Sequence, residues 1–213
     1  MASVRRVDRM VELTTGPDVL DVGCAGEVIE PGGRDWLYGR LRERFPTVLD
    51  IDRSADRVAE MRALGFENVE VADAQDFDLH RQFDTVLAGE LIEHLEAPAS
   101  FLRCTARHLK PNGRLILTTP YAFAPVYFFI AMRHFPRLPW NEEHTLWLCP
   151  TTARELARRA GLRVTRVELV DDYYPWTATY RVTGAAMRTV GRVLPDRLRY
   201  NGMLLVLEAP ERG

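Results

Sequence analysis

Two glutamates and a histidine follow directly on an apolar segment in the first half of the chain. The segment FDTVLAG (83–89) has the composition of a buried strand, and Glu90, Glu93 and His94 come immediately after it. In a helical turn, positions i, i+3 and i+4 share one face, so these three side chains would lie together. Two carboxylates and an imidazole on one face favour a positively charged partner, and a divalent cation is a suitable one.

The elements around this stretch alternate between short apolar strands and helical patterns. This alternation predicts an α/β fold: a doubly wound, Rossmann-like, seven-stranded and mostly parallel sheet with helices on both faces. The predicted strands are 19–23, 47–52, 69–73, 83–89, 114–120, 163–173 and 203–209. The predicted helices are 34–45, 54–65, 97–109 and 152–162, and KPNG (110–113) is predicted to be a turn.

Two stretches rich in aromatic residues and proline, 121–150 and 174–200, do not fit a minimal fold of this kind. We interpret the whole chain, 1–213, as a single domain in which both stretches are insertions that form a substrate lid. They fall at the carboxyl side of the sheet, where open α/β folds bind ligands. Because few residues precede the first strand, we expect the insertions to supply most of the acceptor site.

Composition and charge narrow the classes of function. The three cysteines (Cys24, Cys104 and Cys149) have no CxxC spacing, and the amino-terminal residues show no apolar secretory signal. Both features predict a cytoplasmic protein with reduced thiols. A net charge of −2 and a pI near 6.2 give no broad phosphate-binding surface, which argues against a nucleic-acid partner.

The first strand runs into a loop that suits a nucleotide cofactor. VLDVGCAGE puts Asp21, Gly23 and Gly26 at this junction, and glycines allow a ligand to approach the backbone closely. Asp52, at the end of the second strand, is placed to accept two hydrogen bonds from a ribose diol. The loop lacks a complete GxGxxG, so the pattern gives only weak support to a nicotinamide or flavin dinucleotide.

Five sequence motifs together resemble those of a known protein family. The motifs follow one another over about residues 17–120 and are VLDVGCAGE, VLDIDRS, VEVADAQDF, FDTVLAGELIEHL and LKPNGRLILTTP. A weaker similarity to the family continues to residue 162. The order and spacing of the five motifs resemble those of class I S-adenosylmethionine (SAM)-dependent methyltransferases. The resemblance implies that the cofactor is bound by Asp21, Gly23, Cys24, Ala25, Gly26, Asp52, Asp73, Ala74 and Glu90.

Within that set, the resemblance assigns parts of the cofactor to particular residues. Gly23 and its neighbours pass under the methionine part, and Asp52 holds the ribose. Asp73 and Ala74 contact the adenine, and Glu90 lies beside the sulfonium. The family usually has glycine where this chain has Ala25 and Glu27, and Glu27 is the feature that favours a non-catalytic, methyltransferase-like scaffold.

The ExxEH pattern resembles a subset that includes ubiquinone-pathway O-methyltransferases and small-RNA 2′-O-methyltransferases. In that subset the two glutamates, the histidine and a later histidine are associated with a divalent metal. His144, followed by Trp147 and a predicted helix, supplies the later histidine. The resemblance therefore implies a Mg or Mn site formed by Glu90, Glu93, His94 and His144.

Two alternatives to a metal site remain open. His94 and His144 could act as metal-free catalytic or substrate-contacting residues, or the glutamate–histidine pair could be structural. Methyl transfer requires an aligned and deprotonated nucleophile, which either a metal or a neutral histidine can provide. Both routes favour an oxygen acceptor, although nitrogen and carbon acceptors stay open.

We therefore expect a SAM-dependent O-methyltransferase that acts on a small or lipophilic hydroxylated metabolite. An RNA ribose 2′-O-methyltransferase and a non-catalytic scaffold are the alternatives. The apolar run 121–132 is too short to span a bilayer. Together with the basic residues that follow it, up to position 137, this run gives a further hypothesis of peripheral membrane contact.

Overall fold

The sheet organises the molecule. The computed structural model describes residues 5–23, 33, 36–135, 142–172, 189 and 195–210. Its strands are β1 (Val19–Val22), β2 (Leu49–Asp52), β3 (Val69–Val71), β4 (Phe83–Gly89), β5 (Leu109–Pro120), β6 (Arg163–Val170) and β7 (Gly202–Glu208). They lie in the order β3-β2-β1-β4-β5-β7-β6; among these seven strands, β7 is antiparallel to both of its neighbours, β5 and β6, and the other neighbouring strands pair in parallel. The predicted seven-stranded, mostly parallel sheet is confirmed.

Helices cover both faces of this sheet, as the sequence predicts. They are α1 (Arg6–Leu13), α2 (Leu37–Arg44), α3 (Ala55–Ala63), α4 (Pro98–Arg107), α5 (Pro125–His134), α6 (Pro150–Arg159) and the short α7 (Asp196–Arg199). Helices α1, α2 and α3 bury Met10, Leu41 and Met61 on one face. Helices α4 and α6 bury Phe101 and Ala157 on the other. The apolar strands therefore have a hydrophobic layer on each side.

Local signals fix several element ends. The Ser54 hydroxyl accepts a hydrogen bond from the Arg57 amide at 3.3 Å and caps α3. Gly65, just beyond α3, has φ +87°, the left-handed conformation that glycine adopts without steric cost. Both features agree with the predicted boundaries of this helix.

The sequence predicts that KPNG (110–113) is a turn that precedes the fifth strand. In the structure these residues are part of that strand, β5. Phe83 of β4 pairs with Leu109, whereas Thr85 pairs with Arg114, so the register between the strands shifts at this point. Asn112 has φ +66°, which gives the local bend that the sequence suggests. The chain absorbs this bend as a bulge and continues in the sheet.

Helices α1 and α5 are additions to the predicted elements. Helix α1 is bound to the end of β6, where the Arg9 guanidinium donates two hydrogen bonds, of 2.6 and 2.8 Å, to Glu168. Helix α5 lies in the first predicted insertion, of which 136–141 falls outside the described residues. The second insertion lies largely outside them, since 173–188 and 190–194 are not described. Over the described part of the chain, no helix is both long and apolar enough to cross a membrane.

Candidate functional site

Strands β1, β2 and β4 run parallel, so their carboxyl ends bring the predicted site residues to one edge of the sheet. Asp21, near the end of β1, is buried, and its Oδ2 has no hydrogen-bond partner in the described part of the chain. Burial raises the pKa of Asp21 to about 7, and the nearby Arg6 charge offsets part of this rise. A buried carboxyl group without a full set of partners is suited to receiving a polar ligand.

Gly23 forms the first turn after β1. Its φ is +83°, and its amide donates a hydrogen bond to the Ile51 carbonyl at 2.8 Å. An added Cβ would lie only 3.0 Å from the Leu91 side chain, so the position requires glycine for both conformation and space. The predicted cofactor residues Cys24, Ala25 and Gly26, together with Glu27, lie outside the described residues.

Asp52 and Asp73 each fix a turn. One Asp52 oxygen accepts the Ser54 amide at 2.8 Å, and one Asp73 oxygen accepts the Gln75 amide at 2.8 Å. Ala74 is buried beside this second turn. Asp52 is the last residue of β2, and Asp73 and Ala74 lie just after β3. All three residues are near the same edge of the sheet as Asp21. Their contacts with the cofactor remain a prediction.

Glu90 leaves β4 in a strained conformation. Its φ of +51° is unusual for a non-glycine residue and costs on the order of 1 kcal/mol or more. Its amide donates to the Thr118 carbonyl oxygen at 3.2 Å and to the Thr118 hydroxyl at 3.3 Å. Burial, and then the charges of Asp172 and Glu93, raise the pKa of Glu90 well above its ordinary value. The neighbouring strand thus holds this acid in place at an energetic cost.

The helical turn predicted to begin at Glu90 begins two residues later. It is a 3₁₀ helix, Ile92–His94, so the predicted i, i+3, i+4 geometry does not extend to Glu90. Glu93 is only 1% exposed, and neither of its carboxylate oxygens has a hydrogen-bond partner within the described ranges. Burial raises the pKa of Glu93 to about 7.

The loop that carries His144 is tied to this 3₁₀ turn. The Thr145 amide and hydroxyl donate to the Glu93 carbonyl oxygen at 2.7 and 3.0 Å, and the same hydroxyl lies 2.9 Å from the Leu95 carbonyl oxygen. As a result, the His94 and His144 rings meet edge to face with centroids 4.7 Å apart. Partial burial, and then the neighbouring His94, lower the pKa of His144 to about 4. His144 is therefore neutral at pH 7.

Three of the four predicted metal ligands converge. One ligand atom from each of Glu93, His94 and His144 lies within 4.8 Å of the other two. Glu90 is not a member of this set among the described residues, and its role as a ligand remains a prediction. The Nδ1 atom of His144 is buried and without a hydrogen-bond partner, as are both Glu93 oxygens. A divalent cation would satisfy these atoms, so the donor set fits one.

The donor types also bear on which cation fits. One carboxylate and two imidazoles suit Mn²⁺, Fe²⁺ or Zn²⁺, whereas Mg²⁺ prefers oxygen ligands and retained waters. Glu143 adds acidic character at the rim, with Oε2 3.9 Å from His94 Nδ1. Of the two predicted metals, Mn²⁺ therefore suits the donor set better than Mg²⁺.

Sequence reasoning did not find the ion pair between Arg6 and Asp172. The Arg6 Nε donates to Asp172 Oδ1 at 2.6 Å, and the guanidinium also packs against Gly89, the residue before Glu90. A Cβ on Gly89 would lie 2.9 Å from Arg6 Nη1. No motif includes either charged residue, and the two are 166 positions apart.

Comparison with known proteins places this chain in a family. A family model described as a methyltransferase domain matches residues 3–167, so the chain belongs to that family. It is a class I SAM-dependent methyltransferase. The predicted enzyme class and its cofactor, SAM, are thereby confirmed.

Individual relatives show how far the likeness extends. The ubiquinone biosynthesis O-methyltransferase of Pseudomonas fluorescens (strain Pf0-1) is 29% identical over 192 residues, which are 84% of this chain and 78% of the relative. The glycopeptide N-methyltransferase MtfA, in complex with S-adenosylhomocysteine (SAH), has a TM-score of 0.62 at 16% identity, covering 96% of this chain and 86% of its own. The [4+2]-cyclase SpnF has a TM-score of 0.64 at 18% identity, with coverages of 96% and 79%. These structural likenesses show the fold alone, because one fold hosts many reactions.

Proposed function

We propose that the protein transfers the methyl group of SAM to a hydroxyl oxygen of a small or lipophilic metabolite, with the help of a divalent cation. The observation that carries the proposal is the convergence of Glu93, His94 and His144 within 4.8 Å. This cluster follows β4, whose carboxyl end lies at the edge of the sheet that carries the predicted cofactor residues. The name of the Pseudomonas fluorescens relative supports an oxygen acceptor.

The chemistry needs little from the protein beyond alignment and proton removal. The sulfonium leaves as a neutral thioether, so no acid is required, whereas a hydroxyl nucleophile must lose its proton. A bound divalent cation would lower the pKa of that hydroxyl and orient its oxygen. Glu93, His94 and His144 would hold the cation, with Glu90 as the proposed fourth ligand. Without a cation, His144, which is neutral at pH 7, could accept this proton instead.

Aromatic contacts link this centre to a surface that suits an apolar acceptor. The Trp147 ring lies 5.8 Å from His144 and 4.9 Å from Tyr127 of α5, measured between ring centroids. Near the start of α5, the side chains of Phe123 and Phe128 line a shallow apolar depression. An aromatic route of this kind favours a flat or lipophilic acceptor over a charged one.

Helix α5 also supports the proposal of peripheral membrane contact. Four large apolar side chains on or next to α5 are more than 60% exposed: Phe123, Phe128, Met132 and Phe135. Clustered exposed apolar residues of this size are typical of a contact surface. The proposed partner is a lipid surface that would also deliver a lipophilic acceptor.

A methyl-transfer assay tests the proposed function. Chelator-treated protein is incubated with methyl-labelled SAM and a panel of phenols and catechols, with and without Mn²⁺, and RNA is supplied in parallel. We expect oxygen-methylated product from a phenolic acceptor, increased about tenfold by Mn²⁺. Transfer to RNA alone would favour the 2′-O-methyltransferase instead. Failure of every hydroxylated acceptor, in protein that still binds SAH, would contradict O-methylation.

A further inference from the structure

We propose that Arg6 and Asp172 balance each other's charge at the cofactor pocket, and that this balance fixes the pocket's preference between cationic SAM and neutral SAH. The inference rests on the proposed placement of the cofactor beside Asp21 and Glu90. It gives a role to the first helix, α1, which carries none of the predicted site residues. Arg6 and Asp172 are positioning residues, which act through the pocket's electrostatic field without touching the reacting atoms.

The geometry holds the pair at the pocket. The Arg6 and Asp172 side chains are 12% and 16% exposed, and the bond between them is 2.6 Å long. Gly89 provides the space in which the Arg6 guanidinium lies, immediately before Glu90. On the other side, the Asp172 backbone is fixed by Asn201, whose Oδ1 accepts the Asp172 amide at 3.0 Å and whose Nδ2 donates to the Asp172 carbonyl at 3.1 Å. Neither charge can move into solvent without breaking these contacts.

Both charges reach the carboxyl groups of the proposed site. The Arg6 guanidinium lies against Gly89, next to Glu90, and its charge lowers the pKa of Asp21, whereas Asp172, 2.6 Å from Arg6, brings a negative charge to the same place. The two effects oppose each other, so the intact pair adds little net charge to a pocket already lined by acidic groups. Because burial limits screening by salt, a single unpaired charge here would act over the whole pocket.

SAM and SAH provide a clean probe of that charge. They differ by one methyl group and by one positive charge on sulfur, and they share every other contact. A unit charge several ångströms from the sulfur, at the effective dielectric constant of a protein site, changes their relative affinity by about tenfold. Loss of Arg6 and loss of Asp172 should therefore shift the ratio of the two dissociation constants in opposite directions. A purely structural loosening would weaken both ligands together.

The experiment compares four variants of the full chain with the wild type: Arg6→Met, Asp172→Asn, the double variant and Arg9→Met. Arg9 is the matched control, since it also joins α1 to β6, through Glu168, but has no comparable contact with Gly89. Calorimetric titration with SAM, SAH and the cationic analogue sinefungin gives the three dissociation constants.

We expect Asp172→Asn to reduce the preference for SAM and sinefungin over SAH by about tenfold, and Arg6→Met to increase it. The double variant should return the ratio close to that of the wild type, and Arg9→Met should leave it unchanged. If Arg6→Met and the double variant do not fold, the direction of change in Asp172→Asn, measured against the unchanged ratio in Arg9→Met, decides the question.

Two results would overturn the inference in different ways. Equal changes in the affinities for SAM and SAH in every variant would remove the charge-setting role and leave the proposed function standing. Failure of the wild-type protein to bind any of the three ligands would instead contradict the cofactor placement on which both proposals rest.

Discussion

The imidazole rings of His94 and His144 meet edge to face with their centroids 4.7 Å apart. His94 ends the 3₁₀ turn after β4, and His144 lies in the loop before α6, so the contact joins two distant parts of the chain. Thr145 fixes the approach through its two hydrogen bonds to the Glu93 carbonyl oxygen. The arrangement places two imidazoles beside a buried carboxyl group that has no hydrogen-bond partner in the described chain.

Removing a ligand should abolish tight cation binding. His144→Ala and Glu93→Gln are each expected to weaken Mn²⁺ binding by about 100-fold, because each removes one of the three converging donors that the proposed site needs. Calorimetry on chelator-stripped protein measures the change. The control is His80→Ala, which removes an imidazole that is 89% exposed and lies outside the cluster. Equal Mn²⁺ affinity in His144→Ala and His80→Ala would refute the assignment.

Cation affinity should depend on pH through Glu93. Because the pKa of Glu93 is raised to about 7, the group holds a proton below that pH and must lose it when a cation binds. Apparent Mn²⁺ affinity should therefore fall by about tenfold per pH unit between 7 and 5. His144, with a pKa near 4, contributes little in this window. The slope should flatten in Glu93→Gln, and an unchanged slope in that variant would assign the proton to another group.

Asp21 should lower stability at neutral and higher pH. Its pKa is raised to about 7, so its contribution to stability is complete below the unfolded value near 4 and is lost as pH rises through 7. Asp21→Asn should raise the free energy of unfolding at pH 8 by about 2 kcal/mol and should weaken SAM binding. Denaturant titrations at pH 5 and 8 measure the effect, with exposed Glu67→Gln as control. A variant less stable than the wild type at pH 8 would contradict the prediction.

The apolar surface of α5 should bind membranes. Wild-type protein is expected to float with liposomes, and the double variant Phe128→Ser with Met132→Ser should remain in solution because the exposed apolar area is lost. Leu64→Ser, which changes a half-exposed residue just beyond α3, is the matched control. If the wild-type protein stays wholly in solution, the proposed membrane contact is contradicted.

The sequence predicts the sheet because its parallel strands are covered on both faces and are therefore almost continuously apolar. Polar residues that interrupt the pattern, such as Asp52 and Glu90, mark the strand ends where the ligand site is proposed. The prediction that KPNG is a turn is wrong because a bulge can carry the same residues within a strand. Local pattern cannot distinguish these two outcomes.

The sequence predicts four ligands for a divalent cation, and the structure brings together three of them. The reason is conformational: Glu90 has a positive φ, so the regular turn begins only at Ile92. The Arg6–Asp172 pair has no signal in the sequence at all. It depends on α1 packing beside the end of β6, a tertiary contact between the two ends of the described chain.

Mn²⁺ titration of chelator-stripped, SAH-saturated protein, followed by electron paramagnetic resonance, tests the central claim most directly. We expect one tightly bound Mn²⁺ per chain, with a spectrum that changes when either His94 or His144 is replaced by alanine. Absence of stoichiometric binding, or a spectrum that neither replacement alters, would contradict a cation centre formed by Glu93, His94 and His144.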